Sequence, residues 1–322
     1  MKTFARLLCA LVALLASSHA LAQAWPAKPI RLIVGFAPGG VADVTARVVA
    51  QRLSERLGAQ VVVDNRPSAG GIVAADAVAK APPDGYTMLL LSNGNAVSAS
   101  LFKALPYDTL ADFTAVGLVS MSPNVLVVHP SLPVRNTREL IALAKARPEQ
   151  LNYGSGGVAT TAHMAAAMLS SLASIRTTHV PYKGATLALQ DLVGGRLEYM
   201  LDQIPSSIGF IRNGRLRPLA VTPAKRTPQL AEVPTLAESG VPGYDFTAWW
   251  LILAPAKTPA AIIGRFNAEL RAAAGDPAFR ERLTSFGADP APALSPAEAN
   301  EFLRREVARW AKIVKDAGIR VQ

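Results

Sequence analysis

The sequence predicts an α/β protein of two lobes with a cleft between them, each lobe a mainly parallel sheet flanked by helices. Two patterns support that expectation. Near-continuous apolar runs of strand length alternate with helical stretches, as they do where a parallel sheet is covered on both faces. The alternation starts afresh near Asn124 with no flexible linker or low-complexity tract in between, which predicts two α/β units side by side. At 50% hydrophobic and 6% aromatic residues, the 322-residue chain carries enough apolar material for an ample core.

The first series opens with IRLIVGF (30–36), followed by a helix from about Val41 to Leu57 with Val44, Val48 and Leu53 near one face. VVVDN (61–65) is the next strand. Gly70 and Gly71 start an Ala-rich helix to Lys80, and Pro82-Pro83-Asp84-Gly85 turns into YTMLLLS (86–92). The second series runs VLVVH, a helix to Arg147, LNYGS, a helix from Thr160, TTHVPY, a helix to Gly195, LEYMLD, a further helix and LRPLAVT. FTAWWLILAP (246–255) adds an apolar strand, and two or three helices complete the chain. The last, 296–317, repeats Phe302, Val307, Trp310, Ile313 and Val314 at helical spacing, a core-facing stripe and not a cofactor box.

Residues 1–24 have the pattern of a cleavable export signal. Lys2 and Arg6 precede the apolar run from Leu7 to Ala16, and two A-x-A sites end at Ala22 and Ala24. That run falls well short of the ~20 residues a spanning helix needs. Cys9, the one cysteine, lies inside this segment and away from the cleavage point, so neither a lipid anchor nor a disulfide is expected. The expected location is the periplasm.

The chain carries a formal charge of +10, and loss of Lys2 and Arg6 with an acid-free segment leaves +8. The basic residues are scattered, without a basic run or interleaved aromatics, so no nucleic-acid partner is expected. The excess charge suits solubility and attraction of anions. Arg304 and Arg305 fit a solvated helix face.

In open α/β sheets ligands gather at the carboxyl ends of strands, in the crevice. The first such exit, Phe36 to Asp43, has Gly35 and Gly40 at phosphate-loop spacing, but Val41 and Ala42 stand where Lys and Ser/Thr would be. Pro38, Gly39 and Gly40 lead into a helix whose free N–H groups suit a carboxylate or phosphate. Asp43 either complements that helix end or accepts a hydrogen bond from a ligand hydroxyl, amine or water. The second exit contributes Asn93 and Asn95.

The third exit, 153–163, fits G-x-G-x-x-[GA] at Gly154, Gly156 and Ala159, yet residues 151–190 contain no acid to hold a ribose. A dinucleotide cofactor is therefore not expected. What the stretch offers instead is Ser155, Gly157, Thr160 and Thr161, hydroxyls and amides suited to an oxyanion. His163, one turn further, either touches ligand or is structural. Asp202, at the fourth exit, either contacts ligand or caps and hinges the chain, and Lys183 is either surface or a cleft cation.

Catalytic signatures are missing. No serine sits in G-x-S-x-G, and the histidines outside the signal, His129, His163 and His179, form no H-E-x-x-H or other paired metal spacing. No metal or cofactor is expected. An enzyme reading, a lyase or transferase on the same bilobal frame, lacks a nucleophile or an acid–base pair. A transcriptional regulator on that frame is excluded by the export signal and the missing helix-turn-helix.

An ordered set of motifs then resembles a known family. WPAKPIRLIVGFAPGG, DNRPSAGG, PDGYTMLL, LPYD, LNYGSGG, HVPYKG, LAVT and VPTLAESGVPGY run from Trp25 to the terminal WAKIVKDAGI. Their order is similar to that in the periplasmic receptors of tripartite tricarboxylate transporters, the Bug family. The resemblance implies a Venus-flytrap protein of the type II periplasmic binding class, with 25–123 plus 248–322 as lobe I and 124–247 as lobe II. It implies a monomeric receptor for a small organic acid, partnered by the transporter's membrane components or by a sensor. The family's ligand contacts cluster in segments matching Phe36–Asp43 and Ser155–Thr161, with backbone amides, hydroxyls and waters in place of an arginine clamp. This chain departs from the family's P-G-G-G-T-D at Val41 and Ala42, from G-N-G-T-S-Q-H at residues 157–163, and from A-I-N-P-S-L-Y at 96–102. Those departures make the cleft less polar and imply a ligand with one carboxylate and an apolar or aromatic body.

Overall fold

The computed structural model describes residues 25–316 apart from 103 and 287, so the export signal expected over 1–24 and the residues after Asp316 lie outside the described residues. The chain opens with β1 (Ile30–Val34), α1 (Val41–Leu57), β2 (Val61–Asn65), α2 (Ile72–Ala79), β3 (Thr87–Ser92) and α3 (Asn93–Leu101). A 16-residue strand, β4 (Phe113–Val128), leads to α4 (Thr137–Ala146), β5 (Asn152–Ser155), α5 (Thr161–Ala173) and β6 (Thr178–Pro181). Then come α6 (Ala185–Val193), β7 (Tyr199–Gln203), α7 (Ile204–Arg212) and β8 (Arg217–Val221). The chain returns through β9 (Thr247–Pro255), α8 (Ala260–Ala274), α9 (Pro277–Ser285), the short β10 (Asp289–Pro290) and α10 (Pro296–Asp316).

The two-lobed α/β plan is the expected one, but the sheets are more mixed than the apolar runs imply. β1 is parallel to β2 and β3, and β5 is parallel to β6 and β7. Every antiparallel pair involves β4 or β9: β9 with β3 and β4, and β4 with β7, β8 and β10. A strand buried on both faces reads as a continuous apolar run in either direction, so periodicity does not report orientation. The long β4 changes partner along its length. Phe113 to Pro123 pair with β9, and from Asn124 onward the partners are β7 and β8. Pro123 has no N–H to continue a ladder. Beside it, Asn124 N–H donates to Thr222 Oγ1 (3.0 Å) and Asn124 Nδ2 to Leu201 O (2.9 Å).

Two elements escape the sequence patterns. The 113–123 half of β4 is punctuated by Gly117 and Pro123, which read as breakers. Here Gly117 lets α8 pack close, because a Cβ would lie 2.8 Å from Leu270 Cδ2, which would have to shift. Helix α3 has the unpromising sequence NGNAVSASL, rich in residues that favour turns. A capping box starts it: Ser92 Oγ accepts from Gly94 N–H (3.2 Å) and Asn95 Oδ1 from Ser92 N–H (3.4 Å). Gly94 also lets the start of α3 approach the β5–α5 loop, since a Cβ there would come within 2.8 Å of Ala159 O.

Helix α1 ends as its sequence suggests, with Gly58 in the left-handed conformation (φ 68°) and its N–H on Ser54 O. On β9 the period-2 alternation sends two neighbouring tryptophans to opposite faces. Trp249 packs edge-on to Phe302 and donates from Nε1 to Glu306 Oε2 (2.7 Å) on α10, while Trp250 meets Phe36 edge-on at 5.8 Å. The second contact places an aromatic floor directly under the β1–α1 loop.

Candidate ligand-binding site

A cleft of about 590 Å³ opens where the β1–α1 loop faces the starts of α5, α6 and α7. Gly40 and Val41, Thr160 and Thr161, Gly184 and Ala185, and Gln203 and Pro205 all line it, so four helix N-termini converge on one space. None of these four helices has a side-chain cap. α2 and α8 also lack a cap, whereas Ser92, Asn136 and Asp276 cap α3, α4 and α9. Uncapped ends leave N–H groups unpaired and carry about half a positive charge each, which suits an anion bound between them.

Of the residues singled out from the sequence, Phe36, Pro38, Gly39, Gly40, Val41, Thr160, Thr161 and Asp202 line the cleft, and Lys183 joins them, exposed. Six others, Asp43, Asn93, Asn95, Ser155, Gly157 and His163, do not line it. Asp43 is buried and turned back on its own loop. Its Oδ2 accepts from Gly39 N–H (3.0 Å) and Arg47 Nε (3.0 Å), and Arg47 Nη2 lies 2.9 Å from Oδ1. Burial alone would raise this carboxyl, yet the hydrogen bonds from Arg47, Gly39 and Asn65 hold it below the ordinary carboxylate range. Asp43 thus shapes the left-handed turn at Gly39 (φ 82°) and leaves the amides of α1 free.

Asn93 and Asn95 are spent on the frame. Asn93 donates to Thr247 O (3.2 Å) and accepts from Trp249 N–H (2.8 Å), tying α3 to β9, and Asn95 completes the α3 capping box. Ser155 is fully buried, 2.6 Å from His179 Nε2, with its hydroxyl donating to Gly157 O (3.0 Å) and accepting from Gly157 N–H (3.1 Å). That exchange holds Gly157 back from the cleft. Thr160 Oγ1 donates to the same carbonyl (2.8 Å).

His163 is tied into the frame behind the cleft. Its Nδ1 accepts from Ala159 N–H (3.2 Å), which fixes Ala159 in a left-handed conformation (φ 63°) rare for a residue with a Cβ. The ring stacks on His179 at 4.1 Å, and His179 stacks on Tyr153 at 4.9 Å. Burial lowers His163 to about 4, and burial together with the neighbouring His163 ring lowers His179 to about 3. The pair is a neutral buttress behind the α5 N-terminus.

Asp202 lies at the end of β7, 2% exposed, with Ser207 Oγ donating to its Oδ2 (2.8 Å). Burial pushes the carboxyl up to about 7, against the smaller pull of the Ser207 hydroxyl and the Gln203 N–H. The sequence reading missed the apolar lining: Val44, Leu187, Leu189, Phe210, Trp250 and Phe286. It also did not single out Thr186, Gln203 or Ser206, although the last two lie within the fourth strand exit, 201–207. Nothing in the sequence separates Trp250, which lines the cleft, from Trp249, which does not, because alternation gives two faces without saying which one is open.

Residues 45–319 match the sequence family described as "Tripartite tricarboxylate transporter family receptor". The chain is 39% identical over 293 residues to the "UPF0065 protein in tcbD-tcbE intergenic region" of Pseudomonas sp. strain P51, covering 91% of this chain and 87% of that protein. It is 37% identical to "Protein BugT" of Bordetella pertussis, covering 94% and 93% of the two chains. Among solved structures, R. palustris Rpa4515 with adipate superposes with a TM-score of 0.87 at 39% identity, covering 92% of this chain and 99% of that one. With the family match over most of its length and relatives aligned nearly end to end, the chain belongs to the receptor family of tripartite tricarboxylate transporters, the Bug proteins among them.

Proposed function

We propose that the protein is a periplasmic receptor whose lobes, 25–123 plus 248–322 and 124–247, close on a small organic acid. The ligand is delivered to the membrane components of a tripartite tricarboxylate-type transporter or presented to a sensor. The observation that carries this reading is the convergence of four uncapped helix N-termini on one cleft. They offer a carboxylate fixed donors without an arginine. The adipate held by the similar Rpa4515 structure supports an acid as ligand class. Phe36 and Trp250 give the non-carboxylate part of the ligand an apolar seat, which favours an aliphatic or aromatic body over a polyhydroxylated one. The hinge in this reading is Pro123–Asn124 with the return at Thr247, where β4 exchanges partners. Residues 1–24 are the export signal in the same reading, and the mature chain acts as a monomer.

Calorimetric titration of the mature chain against hexanoate, benzoate, adipate and citrate tests this, with small-angle scattering reporting closure. Binding of an acid with an apolar body, accompanied by compaction, is the expected result. Preferential binding of citrate would remove the apolar-body reading, and binding of none of the acids would remove the carboxylate.

A further inference from the structure

A buried carboxyl in a cleft built for anions calls for an explanation. Asp202 is 2% exposed, lines the cleft at the end of β7, and has a hydroxyl donor, Ser207 Oγ, on one oxygen. Among the described residues it forms no ion pair. The elements packed around β7 supply little charge. β4 carries no ionisable side chain, β5 carries only Tyr153, and β7 itself adds Tyr199. His163 on α5 faces His179, Asp191 on α6 is taken by Arg196 and the Tyr182 hydroxyl, and Arg212, in the last turn of α7, is exposed and does not line the cleft. Lys183 shares the cleft but is exposed. An ionised Asp202 beside a bound carboxylate would set two like charges in a poorly solvated space with no cation between them, an arrangement that protonates one of the pair.

We propose that Asp202 binds the ligand as a neutral acid, donating its proton to a carboxylate oxygen, so that the receptor takes up one proton together with its anion and discriminates acids from amines. The proposal rests on the carboxylate reading above and adds to it the partner that one ligand oxygen meets. The proton comes from solvent. With Ser207 on Oδ2, the proton belongs on Oδ1, where it is shared with the ligand oxygen. Selectivity follows from the same geometry: a neutral carboxyl gives an ammonium no counter-charge, whereas an ionised one would prefer it. Since burial has already raised this carboxyl to about 7, little extra free energy is needed to keep it protonated at neutral pH.

The test is calorimetric titration of the mature wild-type chain with hexanoate, benzoate and adipate from pH 6 to pH 9, in pairs of buffers of different ionisation enthalpy. Proton uptake should be small at pH 6 and approach one per ligand at pH 9, and affinity should fall about tenfold per pH unit above the Asp202 midpoint. Asp202→Asn carries an N–H donor at every pH, so its affinity profile should be flat and its proton uptake absent. Ser207→Ala, which removes a donor that favours the ionised form, should move the fall in affinity to higher pH. The proposal is overturned if an acid binds the wild type equally at pH 6 and pH 9 without proton uptake. It is equally overturned if hexylamine outcompetes hexanoate. Binding of none of the three acids at any pH would instead bring down the carboxylate reading, and this proposal with it.

Discussion

The β1–α1, β9 and α9 side of the cleft presents Phe36, Val41, Val44, Trp250 and Phe286, whereas the side built by α5, α6, α7 and their approaches presents Thr160, Thr161, Lys183, Asp202 and Ser206 besides Leu187, Leu189 and Phe210. Both walls use the same backbone device, an uncapped helix end: α1 on the first, and α5, α6 and α7 on the second. The side chains around it divide the work. An apolar wall gains free energy by removing ligand surface from water and is indifferent to orientation. A wall of hydroxyls and a carboxyl adds direction, because a buried polar group left unpaired costs about 1–3 kcal/mol. The two walls are also braced differently. An ion pair, Asp43 with Arg47, stiffens the β1–α1 loop, and two neutral stacked histidines stiffen the β5–α5 loop.

The sharpest way to break this contrast is at the apolar wall. Trp250→Ala removes a side chain that is 3% exposed and should cost roughly 3–5 kcal/mol of stability, as buried tryptophans do. Urea unfolding measures it, and Trp250→Phe should recover most of the loss. A cost below about 1 kcal/mol, the range of an exposed position, would mean that this wall is not part of the packed core.

The next effect belongs to the brace of the β5–α5 loop. His163 has a folded value near 4 against an ordinary value of 6.5, so the unfolded chain binds the proton first as the pH drops. Its stabilising contribution is complete above about 6.5 and is lost as pH falls from there through about 4, amounting to a few kcal/mol by linkage. His179, lower still, acts with the same sign. Thermal unfolding at pH 7 and pH 4.5 should show a clear fall for the wild type and a smaller one for His163→Gln. Equal falls for both proteins would assign the acid sensitivity to other groups.

The smallest effect expected is at Lys183. Exposed at the cleft, it should contribute through long-range attraction of an anion more than through contact. Lys183→Gln should slow association of a carboxylate by about two- to threefold at low salt, and the difference should vanish near 1 M salt, where the screening length falls to about 3 Å. A salt-independent loss in stopped-flow rates would mark Lys183 as a direct ligand contact instead.

Much of this was legible before any coordinates. The β–α alternation, the glycine exits at 37–43 and 153–163, and the free amides at the start of α1 follow from local rules of periodicity and turn chemistry, which act over a few residues. The family motifs extended that reading to the whole chain. Side-chain direction was not legible. Asp43, Asn93, Asn95, Ser155 and His163 are polar residues near strand exits, and each hydrogen-bonds within the frame: with Arg47, with β9, with the α3 cap, with Gly157 and His179, and with Ala159. From the sequence they are indistinguishable from ligand contacts, since a polar side chain at a loop serves either purpose.

The order of elements, the glycines at left-handed turns and the apolar content of each strand were thus set locally, residue by residue, and are written in the chain. Which way β4 and β9 run, which tryptophan faces the cleft, and which four helix ends meet there depend on contacts between segments about a hundred residues or more apart. Asn93 reaching Trp249 and Asn124 reaching Thr222 are examples. Such pairings depend on loop closure and on the packing of complementary surfaces, neither of which leaves a periodic trace in the sequence.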